Sequence, residues 1–399
     1  MEAPITKPLR LVAMTLAGGR VGELSVLTLR RPKSALPFAG YYRVIDFPLS
    51  NLMRAGIHNV GILSQYRPAS LIDHVGVGES WDFVGLGRGA KILPPFRGAE
   101  ASDWYRGNAD AVFQNLNYVR DHQADLLLIL SGDHIYSMDY RKLVEFHLER
   151  GADMTIAVKR MDPHERFGWA VLDADGRVTD YEEKPVVPKS DLASLTVYLV
   201  NVAPLTQILR ELNGRQLIEF GRDVLPAMIA RHRVYGWVFD GYWAYTRTVE
   251  SYYQAHQDLL SGRIDIDEWG VRTNLHDTMI AGHPPAHIGR GATIENSFIS
   301  SGTFIEGRVE NSVLSPAVVV ERGATVRSSI ILHRCVIRAG ARVERAIMDK
   351  SCEIGPDARV GLENSGEITL LGKECQIGRG GEVSPGTTLQ PEEQVLGSN

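Results

Sequence analysis

Apolar residues return in steps of six through the last third of the chain, and that period admits few architectures. Ile288 to Ile294 is one step. Val320, Val326 and Leu332 make two more, Ile337 to Val343 is another, and Met348, Ile354 and Val360 continue the series. After a short interruption Ile377, Val383 and Leu389 resume it, with glycines and small residues beside these positions. A period of six points one aliphatic side chain inward on each side of a triangular coil, and stacked coils then share a continuous core. A β-sandwich would alternate with period two and show hairpin turns. The spacing predicts a left-handed parallel β-helix of hexapeptide repeats over residues 283–399.

The first half follows another grammar. Short apolar runs at 11–18, 59–66, 125–132 and 154–160 alternate with helical patterns at 48–56, 108–122 and 140–151. Strands buried on both faces and alternating with helices predict a mostly parallel, Rossmann-like α/β domain over residues 1–245. Ligands of such sheets sit beyond the carboxyl ends of the strands, at the loops after Ala17, Ser64 and Leu130. Residues 246–282 are read as a connector whose helix ends at Gly262.

Composition narrows the rest. With 399 residues, 44% hydrophobic and 23% charged, the chain has material for two soluble domains. A net charge of -5 offers no general attraction to nucleic acid or an anionic membrane, so any phosphate is held by local cations and backbone N–H groups. No apolar run approaches membrane-span length, and "LRLVAMTLAGG" reads as a first buried strand rather than a signal peptide, so a cytoplasmic location is expected. Cys335, Cys352 and Cys375 match neither zinc nor disulfide spacing and are expected to be small buried hydrophobes.

Four stretches carry polar groups at strand ends. Gly18 and Gly19, followed by Arg20, allow close backbone approach to a phosphate, or simply turn the chain. Asp133, after "LLLILSG", is placed to hold Mg²⁺ or to cap a turn. In "DWYRGNADAV", Trp104 and Tyr105 offer faces to a base, Arg106 a charge and Gly107 close approach, while Asn108 also suits a helix cap. Glu183 and Lys184 in "YEEKP" suit sugar hydroxyls and a sugar phosphate, or a solvated charge pair.

In order along nearly the whole chain, "LAGG", "RPKSALPFAG", "YRVIDFPLSN", "SQY", "DWYRGNADAV", "SGDHIY", "EEKP", "SLTVY" and "EFGRDVLP", followed by the hexapeptide region, resemble the ADP-glucose pyrophosphorylases, or glucose-1-phosphate adenylyltransferases. The resemblance implies transfer of AMP from ATP to glucose 1-phosphate, giving ADP-glucose for glycogen synthesis and pyrophosphate, with Mg²⁺. By matching motif it assigns Leu16, Ala17, Gly18, Gly19, Gln65, Gly107 and Asn108 to the nucleotide. Lys33, Asp133 and Arg20 serve catalysis, and Asp133 the metal. Tyr105, Gly168, Glu183, Lys184 and Ser194 bind glucose 1-phosphate. It also implies a homotetramer or a heterotetramer with a paralogous subunit, and an anionic metabolite effector, for which Arg43, Arg54, Arg334 and Arg338 are a candidate set at the domain interface. His333 in the repeats is read as an exposed loop residue rather than an acyltransferase histidine.

Two departures stand out. The family loop reads Gly-Thr-Arg, with the arginine on the triphosphate, where this chain has Val21, Gly22 and Glu23. The family also reads Asp-Val-Gly-Thr after Tyr-Trp, where this chain has Tyr245, Thr246, Arg247 and Thr248, so Tyr245 replaces a second metal ligand, with Asp240 nearby in sequence. Asn108 replaces a threonine. Either the enzyme works with a rearranged site, Arg20 or Arg247 supplying the missing charge, or the chain is a non-catalytic regulatory subunit. The survival of "SGDHIY", Lys33 and "EEKP" favours the enzyme.

Overall fold

A computed structural model describes residues 9–19, 22–96, 104–162, 166–277 and 280–397. The first domain runs β1 (Leu11–Leu16), β2 (Pro37–Phe38), β3 (Tyr42–Arg43), α1 (Asp46–Arg54), β4 (Asn59–Leu63), α2 (Ala69–Val75), β5 (Gly89–Leu93), α3 (Asn108–Gln114), α4 (Leu116–Asp121), β6 (Leu126–Ser131), β7 (His134–Tyr136), α5 (Tyr140–Glu149) and β8 (Met154–Arg160). It continues through β9 (Gly168–Leu172), β10 (Val178–Glu183), β11 (Leu192–Asn201), α6 (Val202–Leu212), α7 (Leu225–Arg231), β12 (Val234–Val238) and β13 (Trp243–Tyr245) to α8 (Val249–Leu260).

β5, β4, β1 and β6 pair in parallel, as the alternating pattern predicts. Beyond β6 the sheet is mixed, because β11 runs antiparallel to β6 and to β8, and β9 and β10 form an antiparallel pair beside it. Alternation along the strands supplies both faces. Val12, Met14, Leu127 and Ile129 enter one core cluster, and Ala13, Leu126, Leu128 and Leu130 the other. The helical pattern at 108–122 is two helices, since the Asn115 side chain turns back to Ala111 O and the Tyr105 hydroxyl between them. Asn108 is not a cap: its side-chain oxygen accepts from the Phe220 N–H, 2.8 Å away, and ties α3 to the turn before α7.

The repeats fold as expected, into three parallel sheets stacked around one core in the manner of a left-handed β-helix. Ile305, Val320, Ile337, Ile354 and Ile377 point inward from one sheet, Val309, Val326, Val343, Val360 and Val383 from the next. Leu332 departs from its predicted inward place. Ile331 fills the core, and Leu332 turns outward with Ile330, Ile347 and Leu370 against Leu24, Leu27, Phe38 and Phe47 and against Tyr252, Tyr253 and Leu259 of α8. The third sheet is therefore apolar on both faces, and its outer face holds the domains together. α8 begins at a reciprocal cap, the Thr248 hydroxyl accepting from Ser251 N–H and the Ser251 hydroxyl from Thr248 N–H. The three cysteines are buried, as expected, with Cys335 and Cys352 both donating to Asp349 O.

Buried charge lies at the same junction. Arg31 pairs with Asp349 of the β-helix at 2.6 Å. Arg43 meets Asp277 of the connector at 2.6 Å, and His74 bridges Asp277 and Asp46 at 3.2 and 2.6 Å. The proposed quartet does not assemble. Arg43 is consumed by Asp277, Arg54 bonds Asn51 and Ser137 at the end of α1, and Arg338 pairs with Glu321 and Glu353 along the β-helix, while Arg334 lies exposed at a coil corner. His333 is not an exposed loop residue either; it is 3% exposed beside Arg31, Arg43 and Lys350. Among the described residues no helix is long and apolar enough to cross a membrane.

Burial would lower the His74 pKa, but Asp46 and Asp277 outweigh it and raise it above the ordinary value. A raised folded pKa gives stability that is complete below the unfolded value of about 6.5 and is lost as pH climbs through the folded one. The heat-unfolding midpoint should therefore fall on going from pH 6 to pH 9. His74→Gln should cost about 3 kcal/mol at pH 6 and flatten that slope; a slope unchanged in the variant would rule out the clamp.

Candidate active site

The carboxyl ends of β1, β4 and β6 face β10, β11 and the turn before α7 across a cavity of about 370 Å³. On one wall lie Leu16, Gly18, Gly19, Gln65, Tyr105, Gly107 and Asn108. The wall is cross-tied, since the Tyr105 N–H donates to Gln65 Oε1 at 2.6 Å and the Tyr105 hydroxyl to Leu93 O at 2.9 Å. Ala17 stands behind it, its N–H bound to Leu63 O. Arg106 does not line the cavity; it bonds Asp110, Asn213 and Arg215 O. Arg20 lies outside the described residues.

On the opposite wall are Gly168, Glu183, Lys184 and Ser194. A register shift in β11 between Ser194 and Tyr198 puts Thr196 at φ 52, an outlier for a β-branched residue, and brings Ser194, Thr196 and Tyr198 all to the cavity. Tyr181 donates to Glu183 Oε2 at 3.2 Å. Glu219 and Gly221 close this side. A Cβ on Gly221 would overlap the Glu183 carboxylate, so only glycine lets that carboxylate take its place.

Between the walls sits the Lys33–Asp133 ion pair. Lys33 lines the cavity and Asp133 is fully buried behind it, its Oδ1 accepting from the Ser131 hydroxyl. Burial would raise the Asp133 carboxyl, but the charges of Lys33 and His134 and the Ser131 hydroxyl bring it down to about 2. Burial likewise works against the Lys33 cation, and Asp133 more than restores it. His134, buried and only partly supported by Asp133, is pushed down to about 4 and stays neutral. β13 pairs with β7 so that Tyr245 sits opposite His134, with ring centroids 4.9 Å apart. Lys33 Nζ is 5.5 Å from the Tyr245 ring centroid.

Sequence reasoning placed most of these residues, Arg247 among them as a stand-in for the missing charge, but missed Thr196, Tyr198, Glu219 and Gly221. Their signal was present, inside "SLTVY" and "EFGRDVLP".

Comparison with known proteins finds relatives across both domains. The family described as nucleotidyl transferase matches residues 12–262, and that described as GlmU-like, C-terminal hexapeptide matches residues 284–379. A glucose-1-phosphate adenylyltransferase of Thermotoga sp. (strain RQ2) is 41% identical over 79% of this chain and 76% of its own length. The enzyme of the same name from Clostridium perfringens (strain 13 / Type A) is 39% identical over 83% and 86%. That of Bacillus thuringiensis (strain Al Hakam) is 41% identical over 80% and 86%.

A depressed carboxylate contributes stability that is present above the unfolded pKa of about 4 and is lost as pH falls through the folded value. Asp133→Asn leaves Lys33 buried without a counter-charge and should cost about 3 kcal/mol at pH 7. In urea titrations the gap from wild type should narrow below about pH 4. Equal urea midpoints at pH 7 would count against the pair.

Proposed function

Because the chain belongs to the glucose-1-phosphate adenylyltransferase family, we propose that this cavity joins ATP to glucose 1-phosphate, forming ADP-glucose for glycogen synthesis and releasing pyrophosphate. One observation carries the reading: motifs spread from Leu16 to Gly221 line a single cavity, with the Lys33–Asp133 pair between its two walls. The nucleotide lies along Leu16, Ala17, Gly18 and Gly19, with its base toward Gln65, Gly107 and Asn108. The sugar phosphate takes Tyr105, Gly168, Glu183, Lys184 and Ser194, and the Tyr105 N–H also braces the base side through Gln65. A sugar-phosphate oxygen attacks the α-phosphorus in line, and Lys33 neutralises charge building on the leaving pyrophosphate.

Mg²⁺ fits the donor set only as an ion held mainly by substrate. Asp133 Oδ2 faces the Lys33 ammonium, and among the described residues no three His, Cys, Asp or Glu side chains cluster as metal ligands. One carboxylate with phosphates and water is a coordination Mg²⁺ accepts. When bound, the ion supplies charge stabilisation to the phosphates. The reading as a non-catalytic regulatory subunit rested on a damaged triphosphate side, with Glu23 in the loop and Tyr245 at the second metal position; the pairing of Glu23 with Arg247 at 3.1 Å answers the first of these and favours the enzyme.

An anionic effector fits the domain junction better than the quartet named from sequence. Arg31 Nη1 and His333 Nδ1 are buried without hydrogen bonds among the described residues, and burial with Arg43 and Arg31 holds Lys350 well below its usual range. An anion there would relieve all three. The β-helix serves assembly into a tetramer, which light scattering would read as about four times the 44.1 kDa chain mass.

Purified chain with ATP, glucose 1-phosphate and Mg²⁺ should release pyrophosphate. Gly221→Ala should raise KM for glucose 1-phosphate about tenfold while leaving KM for ATP within about twofold. No turnover in the wild type, or an equal effect on both substrates, would refute the assignment. Inorganic phosphate should raise the melting temperature, and Lys350→Met should remove that rise; a rise unchanged in the variant would move the anion elsewhere.

A further inference from the structure

The two departures from the family pattern meet in space. Arg247 follows β13, and its neighbour Thr246 is fully buried with its hydroxyl on Asp133 O at 2.8 Å, which fixes this turn to the Lys33–Asp133 pair. The Arg247 guanidinium lines the cavity. Its Nε donates to Glu23 Oε1 at 3.1 Å and its Nη1 to the Tyr245 hydroxyl at 3.2 Å. Tyr245 in turn lies under Lys33 Nζ, and a Cβ on Gly19 would stand 3.7 Å from Lys33 Cε. Gly19, Lys33, Tyr245 and Arg247 thus share the corner where the glycine loop meets the central strand.

Charge is permuted at this corner rather than lost. The family pattern has arginine, aspartate and glycine at positions 23, 245 and 247; this chain has Glu23, Tyr245 and Arg247. The formal sum over the three positions is the same in both. What changes is the side from which the cation reaches in. We propose that Arg247 is the guanidinium that binds the triphosphate and the departing pyrophosphate, and that Glu23 is a positioning residue holding it from behind.

The geometry gives each group its part. A guanidinium has a planar fork, so Nε and Nη1 can be held by Glu23 and Tyr245 while Nη2 remains for a phosphate oxygen. The Arg247 side chain is 28% exposed and that of Glu23 48%, so the pair sits at the cavity mouth with the carboxylate on the outer side. The backbone around Glu23 and the nearby Arg247 charge keep its carboxyl below the ordinary range, hence ionised at neutral pH. A fixed carboxylate behind the guanidinium orders it before ligand arrives.

This inference rests on the reading of the cavity as a nucleotidyltransferase site, and binding of inorganic pyrophosphate with Mg²⁺ tests it apart from turnover. Calorimetry on the full chain should show Arg247→Ala weakening pyrophosphate at least about tenfold while glucose 1-phosphate stays within about twofold. Arg247→Lys should fall between, since an ammonium cannot hold both partners and the phosphate in one plane. Glu23→Gln should weaken pyrophosphate about threefold, and adding Glu23→Gln to Arg247→Ala should change nothing further. Unchanged melting temperatures would show that the variants fold, and Arg247→Gln gives a second truncation of the charge. Pyrophosphate bound as tightly by Arg247→Ala as by wild type would overturn the proposal. So would tighter binding by Glu23→Gln, because Glu23 would then be an opponent of the phosphate rather than a support for Arg247. A wild type that turns over nothing, yet loses pyrophosphate affinity in Arg247→Ala, would refute the reaction and leave this assignment standing.

Discussion

Arg31 and Lys33 are two residues apart and are anchored in different domains. Arg31 is bound to Asp349 of the β-helix and Lys33 to Asp133 at the end of β6, both partners nearly fully buried. A single short turn, Lys33–Ala35, lies between the catalytic sheet and the repeat domain. Its backbone is further tied, by Ile45 N–H to Ser34 O and by the Ser34 hydroxyl to Ala17 O. Buried ion pairs add little net stability against apolar replacements, but losing one partner is costly because the other charge stays buried. The turn is therefore specified more than it is stabilised. The position of the Lys33 ammonium in the cavity depends on the packing of both domains at once.

The cavity follows the same rule. Lys33 faces Asp133, Lys184 faces Glu183 at 3.4 Å, and Arg247 faces Glu23. Without these partners the three cations, on a lining that also includes Arg166, would repel one another and, where buried, lose hydration. A carboxylate behind each removes much of that cost before substrate arrives. The arrangement also leaves the cations directional. Lys33 and Arg247 are each held by a counter-charge, so in the proposed reaction substrate oxygens would meet groups that need little reorganisation.

Much of this was legible in the sequence because it follows from local period. The inward positions of the coils, the parallel strands of the first half and the helix after Thr248 all announce themselves by spacing. The strand-end motifs also revealed one wall of the site, since parallel sheets place ligands there. The failures lie where local spacing is silent. In Ile330–Ile331 and Ile347–Met348 both neighbours are apolar, and period alone does not say which faces the coil interior and which the other domain; Leu332 was misplaced for that reason. The arginine quartet failed because a charge's partner is a matter of tertiary contact: Arg338 looked available and is held by Glu321 and Glu353. Glu23 looked like damage for the same reason, its partner being more than two hundred residues away.

On the opposite wall the resemblance named Gly168, Glu183, Lys184 and Ser194, but spacing and charge alone do not mark its glycines, because their part is an absence. Gly168 and Gly221 flank the Tyr181–Glu183 pair; a Cβ at the first would overlap the Tyr181 hydroxyl and at the second the Glu183 carboxylate. A missing methyl has no period and no charge, so neither glycine is marked by any pattern of its own. Yet the two together confine Glu183. One carboxylate oxygen meets the Tyr181 donor and the other Lys184, which itself sits at φ 51, a strained value for a residue before proline. The carboxylate is thus boxed between a hydroxyl, an ammonium and a glycine backbone, leaving the cavity as its open side. A group confined in this way can discriminate among ligands by hydroxyl position, because it cannot follow a misplaced one.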